Sequence, residues 1–182
     1  MPFLGEPVSL TPKQYELEVK AILDGSGLPL EHYSSTHLEP VRGVDGSYVI
    51  DVTARFSALG ADFLVLIECK HEQRKVERQA VQVLHAKMVS TGAQKGMLFS
   101  VAGFQAGAIE YATVHGIALI QMAKGSSTWF TKSFGTVAPP PPSWAEYPEY
   151  VGWWCHGNSM SVVSSAEGRF TRQALGVEAE LP

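Results

Sequence analysis

Apolar positions recur with the period of a helix from Leu10 to Gly27, and the segment carries its own start signals. Thr11 reads as the N-cap, Pro12 as the first helical residue and Gln14 as the far side of a capping box, with Leu10 placed to staple onto Tyr15. Tyr15, Val19, Ile22 and Leu23 make one apolar face, and Gly25 or Gly27 ends the helix. The period then changes to two. His32 to Glu39 is polar and rich in Ser and Thr, as an edge strand is, and a turn over Gly43 to Gly46 leads into the β-branched run YVIDVTARF. A short turn at Ala58 to Ala61 joins it to DFLVLIECK, apolar on both faces until its last residues, which predicts a central strand covered on two sides. From Val76 to Thr91 the helical period returns, with Val76, Ala80, Val83, Leu84 and Met88 on one face, a polar stripe of Arg78, Gln82 and His85 on another, and Gly92 closing it. KGMLFSV, QAGAIEYATVH and IALIQM follow as strand, helix and strand. This order predicts an α/β fold with a central mixed sheet flanked by helices.

After Phe134 the texture changes. The four prolines from Pro139 to Pro142 predict an extended, stiff linker, so the chain divides into a domain over 1–134 and, over 135–182, a Pro-rich linker with an aromatic C-terminal extension. Trp144, Tyr147, Tyr150, Trp153 and Trp154 in that extension are expected to pack on the domain or meet a second subunit rather than to stack bases. No internal repeat is present.

Hydrophobic residues at 45% and charged residues at 18% describe a globular chain, and the longest apolar run, FLVLI, is far too short to cross a membrane. Two cysteines, one inside a strand, make a disulfide framework improbable, and a reducing, cytoplasmic setting is expected. A net charge of −4 argues against a generic nucleic-acid coat protein. The charge is uneven, however: Lys70, Arg74, Lys75, Arg78, Lys87 and Lys95 face only Glu72 and Glu77 over residues 70–95, a place for a phosphate backbone.

Glu68 and Lys70 are two apart on a strand, so they project from the same face at its end. Asp51 on the neighbouring strand can be aimed at the same spot. Two carboxylates held about 4 Å apart repel by roughly 4 kcal/mol at an effective dielectric of about 20, so a fold that converges them needs a cation. Mg²⁺ prefers such hard oxygen ligands; it would polarise a phosphate and acidify a bound water, while Lys70 orients that water or offsets charge on the phosphate. The tripeptide alone is cheap, as Glu18-Val19-Lys20 shows: on a helix those two side chains diverge by about 200° and cannot share a metal.

Taken in order, the helix with Tyr15-Glu16, then IDV, IECK, VERQAVQVLHA, KGMLFSVAGF and IALI resembles the Mrr-type branch of the restriction endonuclease-like nucleases, named for the motif PD-(D/E)xK. The resemblance covers about residues 11–122 and implies a restriction endonuclease-like core that acts on DNA with Mg²⁺, or Mn²⁺ as a substitute. It places Asp51, Glu68 and Lys70 in the catalytic motif, Glu16 as a further metal ligand beside Asp51 and Glu68, and Gln82 as the glutamine of the following helix; Ile50 stands where the motif has proline. The expected role is an endonuclease of restriction or genome defence. A homodimer is expected because one such site cuts one strand, and a separate specificity partner because no reader motif is visible. The alternatives are a repair or junction-resolving nuclease, and a non-catalytic nucleic-acid-binding scaffold that kept the fold.

Overall fold

The computed structural model describes residues 8–27, 30–125, 148–156, 159–166 and 168–177. The chain runs α1 (Pro12–Gly27), β1 (Glu31–Arg42), β2 (Ser47–Ala58), β3 (Ala61–Lys70), α2 (Arg78–Thr91), β4 (Lys95–Ser100), α3 (Ala106–Val114), β5 (Ala118–Lys124), β6 (Tyr150–His156), β7 (Ser159–Val163) and α4 (Arg169–Leu175). The expected capping box opens α1: the Thr11 backbone N–H donates to Gln14 Oε1 at 3.0 Å, and the Gln14 N–H returns to Thr11 Oγ1 at 3.3 Å.

Among the described residues, seven strands form one sheet in sequence order. The first three pair antiparallel as a meander, β3, β4 and β5 pair parallel through the α2 and α3 crossovers, and β6 and β7 return antiparallel. The α/β mixed sheet expected from the alternation is therefore present. α1 and α4 cover one face, where Tyr15, Val19, Ile22 and Leu23 meet Val52, Ile67, Phe99 and Ile120. α2 and α3 cover the other, where Val81, Leu84, Ala108 and Ala112 meet Ile50, Leu66, Leu98 and Leu119. Each such leucine or isoleucine contributes about 1.5–3 kcal/mol by leaving water, which holds the middle strands rigid beneath the site.

One expectation needs amending: α2 begins at Arg78, not Val76. Val76 is held instead as a parallel bridge to Phe104, its N–H donating to Gly103 O at 2.9 Å and its carbonyl accepting from Gln105 N at 3.0 Å. Leu84 and Met88 are buried as expected, with Val81 beside them, while Val83 is half exposed. Gly92 ends α2 as expected, at φ 72° with its N–H on Met88 O, a left-handed geometry that suits glycine.

The described part of the aromatic segment, expected to pack on the domain or meet a second subunit, packs as a strand of the sheet. The proline run, Trp144 and Tyr147 lie outside the described residues, but Tyr150, Trp153 and Trp154 are on β6, paired with Lys124, Gln121 and Ile120 of β5. All three side chains are buried, and Trp154 joins the core beneath α1 and α4. Gly152 is where this strand comes closest to its neighbours: a Cβ there would stand 2.6 Å from Val163 Cγ2 and closer still to Ile120 Cγ2. Gly152→Ala is therefore expected to destabilise the protein by about 1–3 kcal/mol through overpacking, read as a lower midpoint in urea. An unchanged midpoint would mean that β6 is not built into the core.

Candidate active site

The β2–β3 ladder runs from the Ala58–Ala61 turn and ends at Val52–Ile67. Beyond that pair the two strands no longer exchange backbone bonds, and a side chain takes over: the Cys69 N–H donates to Asp51 Oδ2 at 2.7 Å. The alternation of β2 breaks at the same residue. Ile50 packs under α2 and α3, whereas Val52 packs under α1, so Asp51 between them turns edgewise into the gap towards β3. Opposite it on β1, Leu38 has φ 54°, a local distortion of the edge strand where β2 bends away.

Glu68 and Lys70 share a face of β3, as the two-residue spacing requires, because Ile67 and Cys69 turn to the α1 side. Glu68 is buried and lies with Oε2 4.0 Å from Lys70 Nζ. Its closer partner is Lys87 of α2, whose Nζ donates to Oε1 at 2.6 Å. Burial pushes the Asp51 pKa up; the Cys69 N–H pulls against this, the charges of Glu68 and Glu16 add to it, and Lys70 opposes it. These four side chains therefore act on one another as a single electrostatic cluster. Cys69 between them is a partly buried thiol packed against the core, its pKa pushed well up by desolvation, a packing residue rather than a nucleophile, as the sequence suggests.

Glu16 reaches the edge of this cluster but is engaged by His37 of β1, at 2.6 Å between Oε2 and Nε2. Its negative charge is felt at Asp51. Gln82 is exposed and is not among the residues that line the cavity beside Glu68 and Lys70. Gln79, Val83 and Lys87 instead form the stripe that faces Glu68 and Lys70 across a cavity of about 280 Å³, with Leu84 at its floor and Arg74 and Lys75 at its rim. Arg74 pairs with Glu72 at 2.7 Å, and Arg78 lies over the Tyr111 ring at 5.1 Å. His37 and Lys87 were not singled out as site residues by the sequence. The clue for Lys87 is its place on the i, i+4, i+8 stripe with Gln79 and Val83, once the helix phase is known.

The chain matches the family Mrr_cat, described as restriction endonuclease, over residues 8–124, which is more than half of its length. The chain belongs to the Mrr_cat restriction endonuclease family. The match spans α1 to β5 and takes in Asp51, Glu68 and Lys70, so the Mrr_cat core is a nuclease domain of the restriction endonuclease-like superfamily and ends before β6. No curated protein matches the chain. Among solved structures, a crystal structure titled as a protein of unknown function, AF1548, is 20% identical with a TM-score of 0.47, over 59% of this chain and 55% of that one. The chain thus spans about half the length of that protein, and so distant a likeness bears no weight here.

Nucleases of the Mrr_cat superfamily generally use divalent metals. Among the described residues no group of three His, Cys, Asp or Glu side chains is close enough to hold an ion alone. The donors present still fit a cation of the Mg²⁺ type, which commonly takes one or two carboxylates and completes its shell with water and substrate phosphate. Asp51 and Glu68 are hard oxygen donors; burial first, and then the charges of Glu68 and Glu16, raise the Asp51 pKa, and a bound cation would offset that cost of ionisation.

Proposed function

We propose that this chain is a divalent-metal-dependent deoxyribonuclease that hydrolyses phosphodiester bonds endonucleolytically, in restriction or another genome-defence role in the cytoplasm. The observation that carries this reading is the edgewise turn of Asp51, which brings its carboxylate to the end of β3 beside Glu68 and Lys70. A strand end that served only packing would have no reason to converge two carboxylates at an electrostatic cost.

Asp51 and Glu68 would hold Mg²⁺, with Mn²⁺ as a substitute, and the ion would supply Lewis acidity and a more acidic bound water. Lys70 holds positive charge where the attacked phosphate would lie, offsetting the charge that develops on its oxygens. Asp51 keeps its position through the Cys69 N–H, so its free oxygen does not have to be ordered during the reaction. Arg74, Lys75 and Gln79 at the cavity offer donors to the DNA backbone on either side of the cut. One site cuts one strand, so a double-strand break calls for two copies, and sequence choice calls for a separate specificity partner.

Gln79, rather than Gln82, is assigned the role of a backbone contact. Gln79→Ala is expected to lower cleavage by about ten-fold, the worth of one hydrogen bond to a charged group, while Gln82→Ala leaves it within about two-fold. The reverse order would show that α2 sits in another phase when DNA is bound.

The test of the whole reading is incubation of methylated and unmethylated plasmid and linear DNA with Mg²⁺, Mn²⁺ or EDTA. Cutting that needs the metal is expected. Binding of DNA with no cutting under any condition would favour the scaffold alternative and overturn the enzymatic one.

A further inference from the structure

We propose that Lys87 is an internal counter-cation that competes with a divalent metal ion for Glu68 and so sets how tightly the site takes metal. This rests on the metal-site reading above and adds a residue to it. Glu68 is gripped by Lys87 at 2.6 Å, while Lys70, the lysine of the motif, stands 4.0 Å away. The pair is largely sheltered, with 19% of the Lys87 side chain and 11% of the Glu68 side chain exposed, so water screens it little. A doubly charged ion held by Asp51 and Glu68 would lie beside an ammonium already on the same carboxylate. Two cations on one carboxylate repel, so metal entry must loosen the Lys87–Glu68 contact.

The cavity supplies somewhere for the ammonium to go. Lys87 lines it together with Lys70, Lys75 and Gln79, the surface assigned to the DNA backbone. A phosphate there gives Lys87 a new partner of the same charge as the one it surrenders. Metal and DNA are then coupled: each makes room for the other, and by linkage DNA raises metal affinity as much as metal raises DNA affinity. Lys87 acts here as a positioning residue, through Glu68.

The test is a calorimetric titration of the full chain with Mn²⁺, without DNA, for wild type, Lys87→Met, Lys87→Gln and Glu68→Gln. Either Lys87 variant is expected to bind Mn²⁺ about ten-fold more tightly than wild type, within the usual range of coupling between neighbouring sites, and Glu68→Gln to bind it more weakly. A purely structural Lys87 would not give this result, because loss of a supporting contact loosens the site. Lys87→Gln keeps a hydrogen bond to Glu68 and serves if Lys87→Met does not fold. Mn²⁺ binding that depends on Glu68 and is equal or weaker in the Lys87 variants would overturn this inference alone. Absence of Glu68-dependent binding in every protein would overturn the metal site with it.

Discussion

Asp51→Asn is expected to abolish DNA cleavage, by about 10³-fold or more, and at the same time to make the protein harder to unfold. The loss follows from removing one of the two hard anionic donors, Asp51 and Glu68, assigned to the metal. The gain follows from the cost of keeping that anion. Burial and the neighbouring charges of Glu68 and Glu16 raise the Asp51 pKa above its value in the unfolded chain. For a carboxylate so shifted, the favourable contribution is fully present while the group is protonated, below the unfolded pKa, and is lost as pH rises through the folded pKa. Above the folded pKa the native state therefore carries a charge that the unfolded chain carries at lower cost. Asparagine removes that charge and still presents an oxygen to the Cys69 N–H. In EDTA the variant should melt above wild type at pH 7, and the advantage should shrink as pH falls into the carboxylate range. A variant less stable than wild type at pH 7 would mean that the ionised Asp51 is compensated by a partner not seen here.

Glu68→Ala is expected to lose cleavage just as completely, but to destabilise the protein by about 2 kcal/mol in the absence of metal. The sign is opposite because the surroundings are opposite. Glu68 is held by Lys87 at 2.6 Å and faces Lys70 at 4.0 Å, so its removal strands an ammonium that is only 19% exposed. Breaking such a pair from one side leaves the other charge desolvated without return, and the partial access of Lys87 to solvent keeps the loss below that of a fully buried pair. Urea denaturation of the two carboxylate variants side by side checks the contrast. Equal shifts in the same direction would contradict the division of roles between them.

Much of the framework was legible along the chain, and the reasons are local. The capping box of α1, the glycine that ends α2 and the doubly apolar β3 all come from signals spanning a few residues, and each forms as its residues dictate. Glu68 and Lys70 were readable for the same reason, since a period of two fixes their common face without knowledge of the rest. Asp51 was readable as a neighbour of that pair, but the alternation alone gives no hint of its edgewise turn, which depends on where the β2–β3 ladder stops. The start of α2 was hidden because Val76 is drawn off by Phe104, 28 positions along the chain, and which polar residues of α2 line the cavity, Gln79 and Lys87 among them, depends on how the helix docks on the sheet. The strand β6 was not legible because its partners on β5 lie on the far side of a proline-rich stretch. A long-range pairing of that kind leaves no periodic mark of its own.

Plasmid cleavage by the wild-type chain beside Lys70→Ala, each in Mg²⁺ and in EDTA, tests the assignment of this strand end as the catalytic centre most directly. Lys70→Ala keeps both carboxylates and the Lys87–Glu68 contact, so the fold and the metal donors are left in place. Wild type should cut in Mg²⁺ and not in EDTA, while Lys70→Ala should cut about 10³-fold more slowly with an unchanged melting profile. Cutting that survives EDTA, or that proceeds equally without Lys70, would place the chemistry elsewhere in the molecule.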